Sequence, residues 1–142
     1  MKSIEAKRGR VIVGKVLPDE DLIDSINAMV KKHQVKSALF NVIGAFKKVT
    51  IGYYDISSKE YNFQTFEEDL ELISCIGNIA YKDNKPIIHA HITVGRSDYT
   101  IIGGHLSQPS IISVTGEVFI YEIDKIVLRA KDPKFDLNLL DL

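Results

Sequence analysis

The chain has 142 residues, enough for one domain with a substantial core, and 45% hydrophobic against 26% charged residues excludes a disordered chain. Eighteen basic and nineteen acidic residues leave a formal charge of −1, so the basic surplus that usually accompanies phosphate-backbone binding is missing. No apolar run approaches the roughly 20 residues of a transmembrane helix, and the single cysteine, Cys75, excludes an internal disulfide and fits a reducing cytoplasm.

In chain order, Met1–Arg8 carries basic residues with no apolar stretch behind them, so no secretory signal is read there. Arg10–Leu17 alternates as a first strand. Pro18-Asp19-Glu20-Asp21 then opens a helix, because acidic residues suit the positive end of the helix dipole and Pro is tolerated in a first turn. Leu22, Ile23, Ile26, Met29 and Val30 recur at the spacing of one buried helical face, and Lys31-Lys32-His33 suits the C-terminal end. His33 reads as a surface cap.

Nearly everything after the helix reads as strand: 38–43, 49–54, 61–66, 70–80, 87–94, 99–105 and 111–123. Short breaks at Ser57-Ser58, Asp83-Asn84-Lys85-Pro86 and Ser107-Gln108-Pro109 separate them. Cys75 lies in the apolar run Leu72-Ile73-Ser74-Cys75-Ile76 and reads as a small buried hydrophobe. One helix followed by closely spaced strands predicts an α+β domain with a largely antiparallel sheet. No repeat or linker divides it, so residues 1–142 are expected to form a single domain, with a core from about 10 to 123 and a C-terminal tail at 124–142.

The segment carrying chemistry is His89-Ala90-His91 followed by Gly103-Gly104-His105. Strand alternation puts His89 and His91 on one face, about 7 Å apart along the chain. Gly95-Arg96-Ser97-Asp98 is a hairpin turn signal. Pairing Val94 with Thr100 would set His105 directly opposite His89 on the same face. A one-residue slip would send His105 to the other face, and Gly103-Gly104 are candidate bulge positions that would change the count.

Three converging imidazoles suit a divalent ion, zinc first, and three protein ligands plus water is the pattern of an open site. A zinc-bound water would permit hydrolytic chemistry, for which Glu71 and Glu117 are candidate bases by residue type alone. A cupin also uses His-x-His and a later His, but its Glu four or five residues beyond the pair is replaced here by Gly95 and Arg96. No phosphate loop, nucleotide fingerprint or Ser-His-Asp arrangement is legible.

Over roughly residues 10–123 the sequence resembles the PPC domain (plant and prokaryote conserved, DUF296) in its stand-alone prokaryotic form. The residues that carry the resemblance are Gly14 with Pro18-Asp19-Glu20-Asp21-Leu22; Val42-Ile43-Gly44-Ala45; Leu70-Glu71-Leu72-Ile73-Ser74-Cys75-Ile76-Gly77-Asn78; His89-Ala90-His91; and Gly103-Gly104-His105-Leu106. The resemblance implies an α/β domain with a mixed, mostly antiparallel sheet, assembled as a homotrimer. Plant members join the domain to AT-hook motifs that grip the DNA minor groove, and prokaryotic members are often named as candidate DNA-binding proteins.

Two departures from the plant pattern matter. The plant Gly-Arg-Phe-Glu-Ile-Leu segment, implicated in partner binding, stands here as Glu68-Asp69-Leu70-Glu71-Leu72-Ile73, and His105 is present where plant domains typically lack it. Arg8-Gly9-Arg10 echoes an AT-hook core, but Val11 replaces its Pro and the strand begins at once, so it reads as a basic strand entry. The expectation is a cytoplasmic homotrimer that binds a divalent metal, zinc first, through His89, His91 and His105. DNA is a possible partner by family and a membrane is not. The alternative is a metal-dependent enzyme acting on a small molecule.

Overall fold

A computed structural model describes residues Met1–Leu142. The helix, α1 (Leu22–His33), starts at Leu22 rather than at Pro18, because the Asp21 carboxylate accepts the N–H groups of Ile23 and Asp24 and so caps it. Residues Pro18–Glu20 form a turn in which Asp19 takes a φ of 73°. At the other end Gln34 adopts the left-handed conformation, and its N–H returns to the carbonyls of Lys31 and Val30. Leu22, Ile26 and Val30 are buried, with Ile23 and Met29 packed beside them, as their spacing predicts.

Eight strands accompany the helix: β1 (Arg8–Val16), β2 (Ala38–Asp55), β3 (Glu60–Phe66), β4 (Leu70–Lys82), β5 (Lys85–Gly95), β6 (Ile101–Ile123), β7 (Leu128–Lys131) and β8 (Asn138–Asp141). They form one sheet in which β2, β6, β5 and β4 close a ring of pairings, while β1 and β3 extend from β6 and β2. All pairings are antiparallel except β4 with β7, so the expected mixed, mostly antiparallel α+β fold is what the chain adopts.

Two pairs of expected strands are each one long, bent strand. Residues 38–43 and 49–54 join in β2, whose register against β6 shifts three times between Gly44 and Thr50. Gly44 makes the first bend possible. Its φ is +154°, and a Cβ there would lie 2.0 Å from the Thr115 carbonyl oxygen, space that no L side chain can share.

Likewise 99–105 and 111–123 join in β6, with the expected break at Ser107-Gln108-Pro109 absorbed inside it. The polar groups of that stretch find partners. Ser110 donates its N–H to Asp21 Oδ2 at 2.8 Å, its hydroxyl binds the Ser107 carbonyl, and Thr50 Oγ1 donates to the Pro109 carbonyl. The helix cap thereby anchors β6 as well.

A single cluster of 23 buried residues links α1 to the sheet, centred on Phe40, Phe46, Leu72, Ile112 and Ile120. Each large apolar side chain removed from water there contributes roughly 1.5–3 kcal/mol. Cys75 is buried in this cluster, and burial pushes its thiol up to about 12. Residues 124–142, expected to be a tail, instead add β7 and β8 to the sheet. They are tied down by Tyr81 N–H to the Val127 carbonyl and Val127 N–H to Ser37 Oγ.

Arg8-Gly9-Arg10 is strand, not a free arm. Arg10 pairs with Glu122 at 2.7 Å and donates to the His33 carbonyl, while the Arg8 guanidinium lies over the Tyr121 ring.

Candidate metal centre

His89 and His91 alternate with Ala90 on β5, whose buried methyl faces the core while both imidazoles face outward. Across the β5–β6 ladder Gly95 pairs with Ile101, Val94 with Ile102 and His91 with His105. The expected pairing of Val94 with Thr100, and hence of His105 with His89, is corrected by this register. The turn begins one residue later, after Gly95, because Arg96 N–H bonds the Thr100 carbonyl and Asp98 binds the N–H and hydroxyl of Thr100. The displacement is an even number of residues, so His105 keeps the expected face.

Gly103 and Gly104 are not bulge positions, since the ladder runs through them unbroken. They are places of close approach. A Cβ on Gly103 would lie 2.5 Å from the Ile92 carbonyl oxygen, and one on Gly104 would meet Ile51 at 2.7 Å and the Gly52 carbonyl at 2.8 Å. Gly52, the residue beside His105 on β2, leaves room for the Phe63 and Tyr61 rings of β3, and the Tyr61 ring packs 4.8 Å from the His105 ring.

The three imidazoles therefore gather. Ring centroids are separated by 5.1 Å for His89–His91, 5.2 Å for His89–His105 and 5.7 Å for His91–His105. One nitrogen of each lies within 4.8 Å of the others. Zinc–nitrogen bonds of about 2.0–2.1 Å in a tetrahedral shell place such nitrogens somewhat closer, so modest ring rotation completes the set. His105 Nδ1 is buried with no hydrogen-bond partner, an atom whose lone pair or proton the fold leaves unanswered. Burial, then the Arg129 charge and the neighbouring imidazoles, lowers the His89 pKa to about 4, and burial followed by His91 lowers that of His105. Both rings are thus neutral, the form that binds metal. The donor set fits a divalent transition ion.

His33 lies at the end of α1, outside this group. Glu71 and Glu117 line a different depression, with Ile43, Ile73 and Val114. Glu71 is five residues along β4 from Ile76, the partner of His91, so neither carboxylate joins the histidines.

The sequence reading missed Arg129. It lies on β7, is 7% exposed, and shares with His89, His105, Tyr61, Leu137 and Leu139 a cleft of about 210 Å³. Its Nη2 donates to Asn78 Oδ1 at 2.7 Å, and Asn78 sits directly across the β4–β5 ladder from His89. Its Nη1 donates to the Asn138 carbonyl, also at 2.7 Å. Hydropathy gave no signal for it, since in Leu128-Arg129-Ala130-Lys131 the arginine is the buried residue and the apolar Leu128 is exposed.

Residues 3–124 match the model of the Plants and Prokaryotes Conserved (PCC) domain. The chain belongs to this family. Among solved structures of PCC-like fold, a metal-containing protein from Archaeoglobus fulgidus is 31% identical over all of both chains, with a TM-score of 0.92. A plant- and prokaryote-conserved protein from Pyrococcus horikoshii is 31% identical, covering 100% of this chain and 98% of that one, with a TM-score of 0.90. A candidate DNA-binding protein from Bacteroides thetaiotaomicron is 28% identical over 96% of each chain, with a TM-score of 0.89. No curated protein sequence matches the chain. The PCC match stops at residue 124, so Arg129 and the β7–β8 hairpin lie beyond the matched segment.

Proposed function

We propose that this PCC-domain protein forms one domain that binds one divalent transition metal ion per chain, zinc first, through His89, His91 and His105, with a fourth position open to solvent or ligand. The observation that carries this reading is the mutual approach of the three imidazole nitrogens within 4.8 Å, with His105 Nδ1 buried and unpartnered. The metal-containing relative from Archaeoglobus fulgidus supports it. Calorimetric titration of chelator-treated protein with zinc tests it. Saturation at about one ion per chain is expected, and no saturable binding at micromolar protein overturns it.

The module works as a cytoplasmic homotrimer. Ile43, Ile73, Ile101 and Val114 are each about half or more exposed, and they line two adjoining depressions that share Ile73 and Val114. An apolar surface of this kind favours burial against another copy. The net charge of −1 and the internal engagement of Arg8 and Arg10 leave DNA association weak and non-specific, although relatives are named as candidate DNA-binding proteins. The cleft beside the histidines is lined by no carboxylate that could act as a general base, which favours binding over turnover.

A further inference from the structure

The charge balance of the cleft extends this reading, on which the inference rests. Arg129 is a nearly fully buried cation, yet none of the chain's salt bridges involves it. Its two hydrogen-bond partners, Asn78 Oδ1 and the Asn138 carbonyl, are neutral, and its Nε is buried with no partner at all. Burying a guanidinium without a counter-charge is costly, and a fold that tolerates it holds a place for an anion or draws strong support from elsewhere. No such support is on hand. The side chain lines the same cleft as His89 and His105, and Asn78 fixes it on the face of the sheet that His89 occupies. A divalent ion on the histidines would raise the uncompensated positive charge there further.

We infer that the cleft binds a small organic carboxylate, which completes the metal shell with one oxygen and is held by the Arg129 guanidinium through the other. A guanidinium makes charge-assisted hydrogen bonds to a carboxylate oxygen, and three histidines leave the metal an open position for the other. The remaining walls, Tyr61, Ile88, Leu137 and Leu139, are largely apolar, and the volume of about 210 Å³ suits a short alkyl body rather than a polymer. Arg129 is here a ligand-binding residue, with Asn78 positioning it.

Isobutyrate and its uncharged isostere isobutyramide are the probes, added to protein loaded with cobalt(II), whose visible absorption reports its ligand shell. Isobutyrate should shift the spectrum saturably, and isobutyramide at equal concentration should not. Arg129→Gln should retain its cobalt and raise the half-saturating isobutyrate concentration at least about tenfold, the loss of a single charge-assisted contact. Arg129→Lys, which keeps the charge but not the guanidinium hydrogen bonds to Asn78 and the Asn138 carbonyl that position it, should fall between. Circular dichroism checks that each variant is folded, and the comparison of acid with amide stands on the wild type alone. Cobalt uptake with no response to isobutyrate, an equal response to the amide, or an unchanged half-saturation in folded Arg129→Gln overturns the inference. Failure of the wild type to take up cobalt overturns the metal-binding reading instead.

Discussion

His105 lies directly across the β5–β6 ladder from His91, with ring planes nearly perpendicular and centroids 5.7 Å apart. Backbone pairing alone sets this relationship, helped by the close strand approach at Gly103. The three-histidine group is therefore built by the sheet itself, so a bound ion would have little left to order.

The retention of metal on acidification follows from how the fold treats these rings. An exposed histidine protonates near pH 6.5, but burial brings His89 to about 4 and lowers His105 as well. A base whose folded pKa is lowered takes up protons only at lower pH than a free histidine, so His89 and His105 resist charging where free histidines charge. Metal should therefore be retained to lower pH than by a site of exposed histidines, with release as pH falls toward 4. In the metal-free protein the unfolded chain binds the extra protons, so stability should decline as pH falls from about 6.5 to about 4. Loss of half the metal by pH 6.5 in dialysed samples would count against the burial account.

Gly44→Ala should be among the most damaging single-methyl changes in the chain. The new Cβ would meet the Thr115 carbonyl at 2.0 Å from a backbone conformation that L residues rarely adopt. A loss of at least about 2 kcal/mol in urea unfolding is expected, from strain and displacement of the β2–β6 pairing. A change under about 0.5 kcal/mol would show that β2 bends by another means.

Assembly is predicted to bury the surface around Ile73 and Val114. Light scattering at micromolar concentration should give three times the chain mass of 16.0 kDa. Val114→Lys should shift the population toward smaller species, because a charge buried in such an interface is strongly disfavoured. A stable wild-type monomer would remove the trimer.

DNA binding should be no tighter than about micromolar at physiological salt, the ordinary range for non-specific contacts. Fluorescence anisotropy with A/T-rich and mixed duplexes should show no preference. Nanomolar, sequence-selective binding would restore a regulatory role.

The fold and half of the site were legible because they rest on periodicity. The 3.6-residue spacing of Leu22, Ile26 and Val30 and the two-residue spacing of His89 and His91 survive whatever the rest of the chain does. The face of His105 was legible too, but its partner was not. Hairpin register depends on which residue the turn starts from, and Asp98 decides that through hydrogen bonds local to the turn. The long bent strands were hidden because Gly44 and Pro109 look like strand ends in sequence while serving as bends within β2 and β6. Arg129 was illegible because its burial depends on Asn78, 51 residues away, and runs against its own hydropathy.

The most direct test of the account is elemental analysis of the wild type, His89→Ala, His91→Ala, His105→Ala and His33→Ala after identical dialysis. The wild type and His33→Ala should each hold about one divalent ion per chain, and each of the other three should lose most of it, because two remaining imidazoles make a much weaker site. Equal metal content in all five proteins would contradict the account, leaving the three histidines as neighbours on a sheet with no ion between them.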